Sequence, residues 1–238
     1  MRIWVARPEP GATRTGQRLL ALGHAPLVAP VLAIRPTGAA LPDDTFAGLL
    51  LTSANAVAAL TAADRARFGA RPAFAVGGRT ASLARRAGLD AVLEAGGDAA
   101  ALSALVRATL PAGSALLHLA GAERKAEPAA SLGAAGYALT TVIAYAAVAE
   151  PALPPSVAEA LAADPPALDA VLHYSRRSTE TAQLLARRAG RSGAFGALKH
   201  YCLSSDVAAP LVAAGLDAPF VAARPDEESL LMGLVAGT

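Results

Sequence analysis

The chain has 238 residues, a formal net charge of +2 at pH 7, and one cysteine and four histidines without metal-ligand spacing, so neither an internal disulfide nor a metal site is expected. No apolar stretch reaches the roughly 20 residues of a membrane-spanning helix, and the start lacks a signal-peptide core, which predicts a cytoplasmic protein without membrane contact. The basic residues are scattered and almost all arginine, and aromatic residues are few; this argues against a nucleic-acid partner and favours a small anionic ligand, since arginine recognises carboxylates and phosphates.

Strand and helix patterns alternate from the start of the chain. Residues 2 to 7 read as a strand, and the helix that follows from about Ala12 to Leu22 ends at Gly23. The next extended segment, APLVAPVLAIRP, contains two prolines inside it, which favours an edge or linker strand over a central one. The polar residues 37 to 44 then suggest a domain boundary or loop.

The stretch FAGLLLTSANAVAAL, residues 46 to 60, reads as a buried strand that ends in a polar turn and enters a helix. Ser53 is well placed to cap that helix. Free amides and a hydroxyl then meet at the carboxyl end of a parallel strand, where open α/β sheets bind ligands. We therefore expect the function to lie at this edge.

The same strand-turn-helix pattern recurs along the rest of the chain. PAFAVGGRTASLARRAGL reads as a strand, a glycine turn and a helix ending at Gly88, and Asp98 is expected to cap the next helix. An extended segment is expected from Tyr137 to Val148. A proline-rich stretch with one short helix then leads into the final third.

The final third repeats the earlier pattern. LDAVLHYSRRSTETAQLLARRAG places Ser175 where Ser53 stands, and Phe74 aligns with Tyr201. The opening recurs more weakly, with Gly23 over Gly136. The chain therefore reads as a duplication of one unit of about 115 residues, and the alternating elements predict two similar α/β parts with parallel sheets flanked by helices.

The chain resembles the uroporphyrinogen-III synthase family over essentially its whole length. The resemblance rests on the order and spacing of Ala-Arg-Pro-Glu-Pro, LLLTSANAV, AVGGRTA, the tyrosine of VIAYAAV and the serine of LHYSRRS. It implies two α/β domains with interleaved halves, joined by a two-stranded linker formed by APLVAPVLAIRP and TTVIAYAAV. The first domain would combine residues 1–35 and 150–238, the second would span 38–148, and the substrate would lie between them.

The implied reaction converts the linear tetrapyrrole hydroxymethylbilane to uroporphyrinogen III, with loss of water, inversion of ring D through a spiro intermediate, and ring closure. No cofactor is implied, and the expected state is a monomer open to transient contact with the preceding pathway enzyme. One alternative is a two-domain anion-binding protein without catalysis. Another is a nucleotide-dependent enzyme, although GGRT does not match the dinucleotide pattern G-x-G-x-x-G.

Tyr145 is the implied catalytic residue, because the family has a tyrosine facing the cleft there and a phenol can donate to the departing hydroxyl. The alternative is an aromatic residue that packs a linker strand. Asp206 stands in a turn where the family often has Gly-Pro-Thr, and we expect it to cap a helix, since an acid would repel a carboxylate.

The expected substrate-binding residues are hydroxyls before helices, arginines at strand ends and one lysine at a family position. Helix capping and solvated surface charge are the alternatives for them. We expect Ser53, Thr80 and Ser175 each to follow a strand and precede a helix. The cations of this set are Arg7, Arg79, Arg176 and Lys199.

Overall fold

The computed structural model describes residues 1–216 and 218–236. The strands, in chain order, are β1 (Arg2–Val5), β2 (Ala25–Val28), β3 (Leu32–Pro36), β4 (Gly48–Leu51), β5 (Ala73–Ala75), β6 (Val92–Glu94), β7 (Ala115–Gly121), β8 (Ala138–Ala149), β9 (Ala170–His173), β10 (Lys199–Cys202) and β11 (Phe220–Val221). The helices are α1 (Gly11–Ala21), α2 (Ala54–Ala58), α3 (Ala62–Phe68), α4 (Gly78–Arg86), α5 (Ala99–Thr109), α6 (Ala129–Ala134), α7 (Pro155–Ala162), α8 (Arg176–Arg188), α9 (Ser192–Gly196), α10 (Ser205–Ala213) and α11 (Glu227–Ala236).

The chain divides into two compact units. The first unit comprises Met1–Ala33 and Val148–Thr238, and the second comprises Ile34–Ala147. Within the described residues, no helix is both long enough and apolar enough to span a membrane.

The first unit is built on a sheet with the order β11-β10-β9-β1-β2, whose neighbouring strands pair in parallel. Along β1, Ile3 and Val5 pack into one core cluster, while the buried Trp4 meets Phe195 edge-on at 6.2 Å between ring centroids. This alternation follows from the two-residue period of a strand. β2, which contains Pro26, lies at the sheet edge, where a missing N–H donor is tolerated, so this part of the prediction is confirmed.

The second unit is built on a sheet with the order β3-β8-β7-β4-β5-β6. Its central strand β4 is completely buried. Leu49 and Leu51 belong to one core cluster and Leu50 to another, because helices cover both faces of a parallel sheet. β4 is therefore a core strand, and the partly buried Thr52 and Ser53 follow its carboxyl end.

The two sheets have the same topology. The order β6-β5-β4-β7-β8 of the second unit corresponds strand by strand to β11-β10-β9-β1-β2 of the first, and β3 is the additional strand. The helices α4 and α10 are both followed by a glycine with positive φ, Gly88 at 90° and Gly215 at 76°, as expected for a C-terminal turn. The predicted fold, two similar parallel α/β parts with interleaved halves, is confirmed.

The segment APLVAPVLAIRP was expected to form one linker strand, and this is wrong. It forms two strands, β2 and β3, which belong to different sheets. β3 runs antiparallel to β8: the amide of Thr37 donates to the carbonyl of Ala144 (3.0 Å) and the amide of Glu150 donates to the carbonyl of Val31 (2.9 Å). Pro30, which has no N–H donor, lies between the two strands.

Candidate active site

Serine hydroxyls cap the helices that follow the two equivalent strands β4 and β9. The hydroxyl of Ser53 accepts a hydrogen bond from the amide of Asn55, and that of Ser175 accepts one from the amide of Ser178, both at 3.2 Å. Ser53 is half-buried and Ser175 is exposed. The predicted capping role of both serines is confirmed, and their contact with substrate stays a prediction.

The expectation that Asp206 caps a helix is wrong. Ser204 caps α10 by accepting from the amide of Val207 (3.4 Å), and Asp206 lies in the first turn. There its carboxylate is 3.4 Å from the guanidinium of Arg176, which also binds Glu180 at 3.0 Å. The hydrogen bond to Glu180, followed by the one to Asp206, raises the pKa of Arg176. Arg176 therefore already has two acidic partners at this edge.

Helix α4, which follows β5, begins without a side-chain cap. Its N-cap residue is Gly77, so the first amides of the helix have no side-chain acceptor and are available to an anion. Arg79 is exposed in this first turn and has no ion pair within the described residues. Thr80 lies inside the helix and is 5% exposed, so the expectation that it precedes the helix is wrong. The helix begins earlier, directly after Gly77.

Glu94, which ends β6, is a neighbour of this turn that the sequence did not indicate. A Cβ atom placed on Gly78 would lie 2.9 Å from its carboxylate oxygen Oε1. A negative charge therefore stands beside the uncapped amides of α4. It would oppose the binding of a further anion there.

Tyr145 lies on β8 and packs against the end of β7. The ladder shifts register between Ala120 and Gly121, which places Gly121 opposite Tyr145. A Cβ atom at Gly121 would lie 2.7 Å from Cε2 and 3.1 Å from the hydroxyl oxygen of Tyr145, so only a glycine leaves room for the ring. The ring is half-buried, and its hydroxyl forms no hydrogen bond within the described part of the chain. This phenol is therefore available as a donor.

His118 is buried on β7, one strand away from Tyr145, and the sequence did not mark it as a site residue. Its Nε2 lies 3.3 Å from the hydroxyl of Thr52, at the carboxyl end of β4. Burial, followed by the positive charge of Arg124, lowers the pKa of His118. A neutral imidazole therefore fixes the hydroxyl that directly precedes Ser53.

Arg7 follows β1, as predicted, and lies in a network around Glu227. Its guanidinium stacks on the ring of Tyr174 with 3.9 Å between Cζ and the ring centroid, and lies 3.3 Å from the carboxylate of Glu227. Thr15 and Tyr174 donate to the same carboxylate oxygen. Burial, opposed in part by the hydrogen bond to Thr15, raises the pKa of Tyr174, so this phenol stays protonated.

Lys199 is not brought together with the other predicted residues. It is the first residue of β10, so it lies at the amino end of a parallel strand. Arg7 and Ser175 lie at the carboxyl end of the same sheet. Its predicted role in substrate binding has no support from this position.

Taken together, the carboxyl edges of the two sheets offer hydrogen-bond donors and cations. Within the described residues, no group of three or more histidine, cysteine, aspartate or glutamate side chains could hold a metal ion. The available chemistry is the binding of carboxylates and the donation of a proton or hydrogen bond by a phenol.

The sequence matches the family model of uroporphyrinogen-III synthase HemD over residues 13–232. The chain belongs to the uroporphyrinogen-III synthase family. It is thus an enzyme of tetrapyrrole biosynthesis, a cyclising lyase, and the alternative of an anion-binding protein without catalysis has no support.

The fold is similar to that of a solved uroporphyrinogen-III synthase. The enzyme from Helicobacter pylori 26695 is 16% identical, with a TM-score of 0.59 over 100% of this chain and 99% of that one. A mutant enzyme from the extremely thermophilic bacterium Thermus thermophilus is 18% identical, with a TM-score of 0.48 over 99% of this chain and 98% of that one. A search of curated proteins found no match.

Proposed function

We propose that this chain converts hydroxymethylbilane to uroporphyrinogen III, with loss of water and inversion of ring D through a spiro intermediate. The observation that carries the proposal is the family match over residues 13–232. Most of the work is positional, because the substrate must be folded so that the substituted carbon of ring D attacks first. Free in water, the linear molecule closes without inversion.

In this proposal Tyr145 donates a hydrogen bond or proton to the departing hydroxyl group. Its support is the half-buried phenol without a partner in the described residues and the close packing of its ring on Gly121. A donor held in place costs no reorganisation when charge develops on the leaving oxygen. His118 is buried and engaged with Thr52, so it is not assigned to this step.

The acetate and propionate side chains of the substrate are the groups by which the protein can bind and orient it. We assign the uncapped turn at Gly77, together with Arg79, to one of these carboxylates, because the helix amides and the Arg79 guanidinium favour an anion and together outweigh the opposing charge of Glu94. Ser53 and Ser175 are assigned to the same task at their own turns. Arg176 is a weaker candidate, since Glu180 and Asp206 already bind it.

We propose further that the enzyme is a cytoplasmic monomer that meets the preceding pathway enzyme transiently. The support for the transient contact is chemical: hydroxymethylbilane closes spontaneously to the wrong isomer, so rapid passage from the preceding enzyme to this one protects the linear substrate. Size-exclusion chromatography with light scattering tests the monomer, and the isomer ratio in a coupled assay with excess inert protein tests the transfer. A stable dimer, or an isomer ratio that does not respond to dilution of both enzymes, would contradict these assignments.

The experiment that tests the function is incubation of the purified chain with hydroxymethylbilane, oxidation of the products and chromatographic separation of isomers I and III. Isomer III is expected as the main product. A product mixture identical to that of the buffer control would refute the proposal.

A further inference from the structure

A surface pocket of about 690 Å³ lies at the carboxyl edge of the first unit's sheet. Arg7 follows β1, Tyr174 follows β9 and Glu227 begins α11, so the pocket occupies the place where parallel sheets put ligands. Three guanidinium groups converge on it. Its lining residues are Arg7, Arg14, Gln17, Arg18, Tyr174 and Glu227, together with Ala21 and Leu203.

Glu227 neutralises part of this charge and holds two of the arginines. One carboxylate oxygen lies 3.3 Å from Arg7 and the other 2.8 Å from Arg18. Burial by itself would raise the pKa of Glu227, but hydrogen bonds from Thr15, Tyr174 and Arg18 outweigh it and lower the pKa. One ionised carboxylate thus faces three guanidinium groups, and the pocket keeps a net positive charge.

Arg14 carries positive charge that Glu227 does not neutralise. It is exposed and forms no ion pair with the described residues. It lies one turn before Arg18 on the same face of α1, and like charges at this spacing repel each other. A bound carboxylate would relieve this repulsion, and a guanidinium can hold both of its oxygens.

We propose that this arginine pocket binds a side-chain carboxylate of the tetrapyrrole substrate, with Arg14 and Arg18 as the donors and Glu227 as the internal counterion that holds Arg7 and Arg18. The inference rests on the proposed function, since that reaction supplies the ligand. Neither Arg14 nor Arg18 is among the residues that the motifs indicated. Because the carboxylate does not react, the pocket contributes equally to substrate and transition state and acts on KM rather than kcat.

The test is the steady-state kinetics of Arg14→Gln and Arg14→Glu with hydroxymethylbilane as substrate. Arg14→Gln should raise KM about 1.4- to fivefold, which corresponds to the roughly 0.2 to 1 kcal/mol of an exposed ion pair, and leave kcat nearly unchanged. Arg14→Glu should raise KM further. The matched control is Arg188→Gln, since Arg188 is an exposed arginine at the end of α8 in the same unit, and its KM should equal that of the wild type.

The outcomes distinguish a failure of the proposed function from a failure of the inference about Arg14. The wild type is assayed first for isomer III, so a failure of the proposed function is seen before any variant is compared. If isomer III is formed but both Arg14 variants keep the wild-type KM, the inference is overturned; an equal rise of KM in Arg188→Gln overturns it as well. Succinate serves as a probe for a free carboxylic acid. If Arg14→Gln weakens succinate binding but leaves the KM for hydroxymethylbilane unchanged, the pocket binds a free acid and not the substrate.

Discussion

The two buried histidines of the first unit make its stability depend on pH. His173 and His200 stack with 5.3 Å between ring centroids, and Nε2 of His173 lies 3.0 Å from Nδ1 of His200. Nε2 of His200 lies 3.0 Å from the carbonyl of Phe195. A carbonyl only accepts, so His200 donates to it and accepts from His173. Nδ1 of His173 is then left buried without a partner, and both rings are neutral.

Protonation of this pair is unfavourable in the folded state. Burial, and then the neighbouring His200, lowers the pKa of His173 to about 3. Burial lowers the pKa of His200 to about 4, although its hydrogen bond to Phe195 acts in the opposite direction. Between about pH 6.5 and 4 the unfolded chain therefore binds protons that the folded chain does not, and the free energy of unfolding falls as the pH falls.

The magnitude follows from this linkage. Each histidine loses about 1.4 kcal/mol for every pH unit below about 6.5, so the pair should cost about 4 kcal/mol at pH 5. This is a large part of the stability of an ordinary domain.

Urea unfolding followed by the fluorescence of Trp4, the single tryptophan, measures this loss in the unit that contains the histidines. The double variant His173→Gln/His200→Gln should be much less sensitive to pH, because its amides do not titrate. His24→Gln, at a half-buried position, is the control and should change the pH dependence far less. If the wild type has the same free energy of unfolding at about pH 7 and about pH 5, or if the double variant keeps the wild-type slope, the reasoning is refuted.

Four further predictions concern the site. Tyr145→Phe should lower kcat about thirtyfold to a thousandfold at an unchanged melting temperature, since a positioned donor contributes about 2 to 4 kcal/mol; wild-type turnover would reduce Tyr145 to a packing residue. Gly121→Ala should also lower kcat, because its Cβ would lie 2.7 Å from the Tyr145 ring, and unaltered kcat would show that the ring position is not used. Glu94→Gln should lower KM about twofold by removing a charge beside α4; a higher KM would make Glu94 a binding group. Arg79→Ala should raise KM more than Arg176→Ala, and the opposite order in initial-rate measurements would contradict the assignment of the α4 turn.

The sequence predicted those features that depend on short-range signals. The cap at Ser53, its counterpart at Ser175 and the helix end at Gly88 each depend on a few adjacent residues, and these predictions are confirmed. The repeat then predicted two similar parallel sheets, because equivalent motifs recurred in the same order. A resemblance carried by motifs pointed to Tyr145, whose role stays a prediction.

Other features depend on residues that are distant in the chain. Glu227 reaches Arg7 across 220 residues, and this contact exists only because α11 starts at the same sheet edge where β1 ends. The pair of His118 and Thr52 likewise requires that β7 and β4 be neighbours. No local pattern marks such contacts. The division of APLVAPVLAIRP between two sheets was missed for the same reason, since an extended segment does not reveal its partner strand.

The most direct test of the central claim is the fraction of isomer III formed from hydroxymethylbilane as the enzyme concentration is raised, compared between the wild type and Tyr145→Phe. With the wild type, the fraction of isomer III should rise from near zero to near one as the enzyme concentration increases and catalysis becomes faster than spontaneous closure. Tyr145→Phe should reach the same end point only at a higher enzyme concentration, because the fold that directs ring inversion remains while the donor is lost. A fraction of isomer III that stays at the level of the buffer control at every concentration would contradict the account.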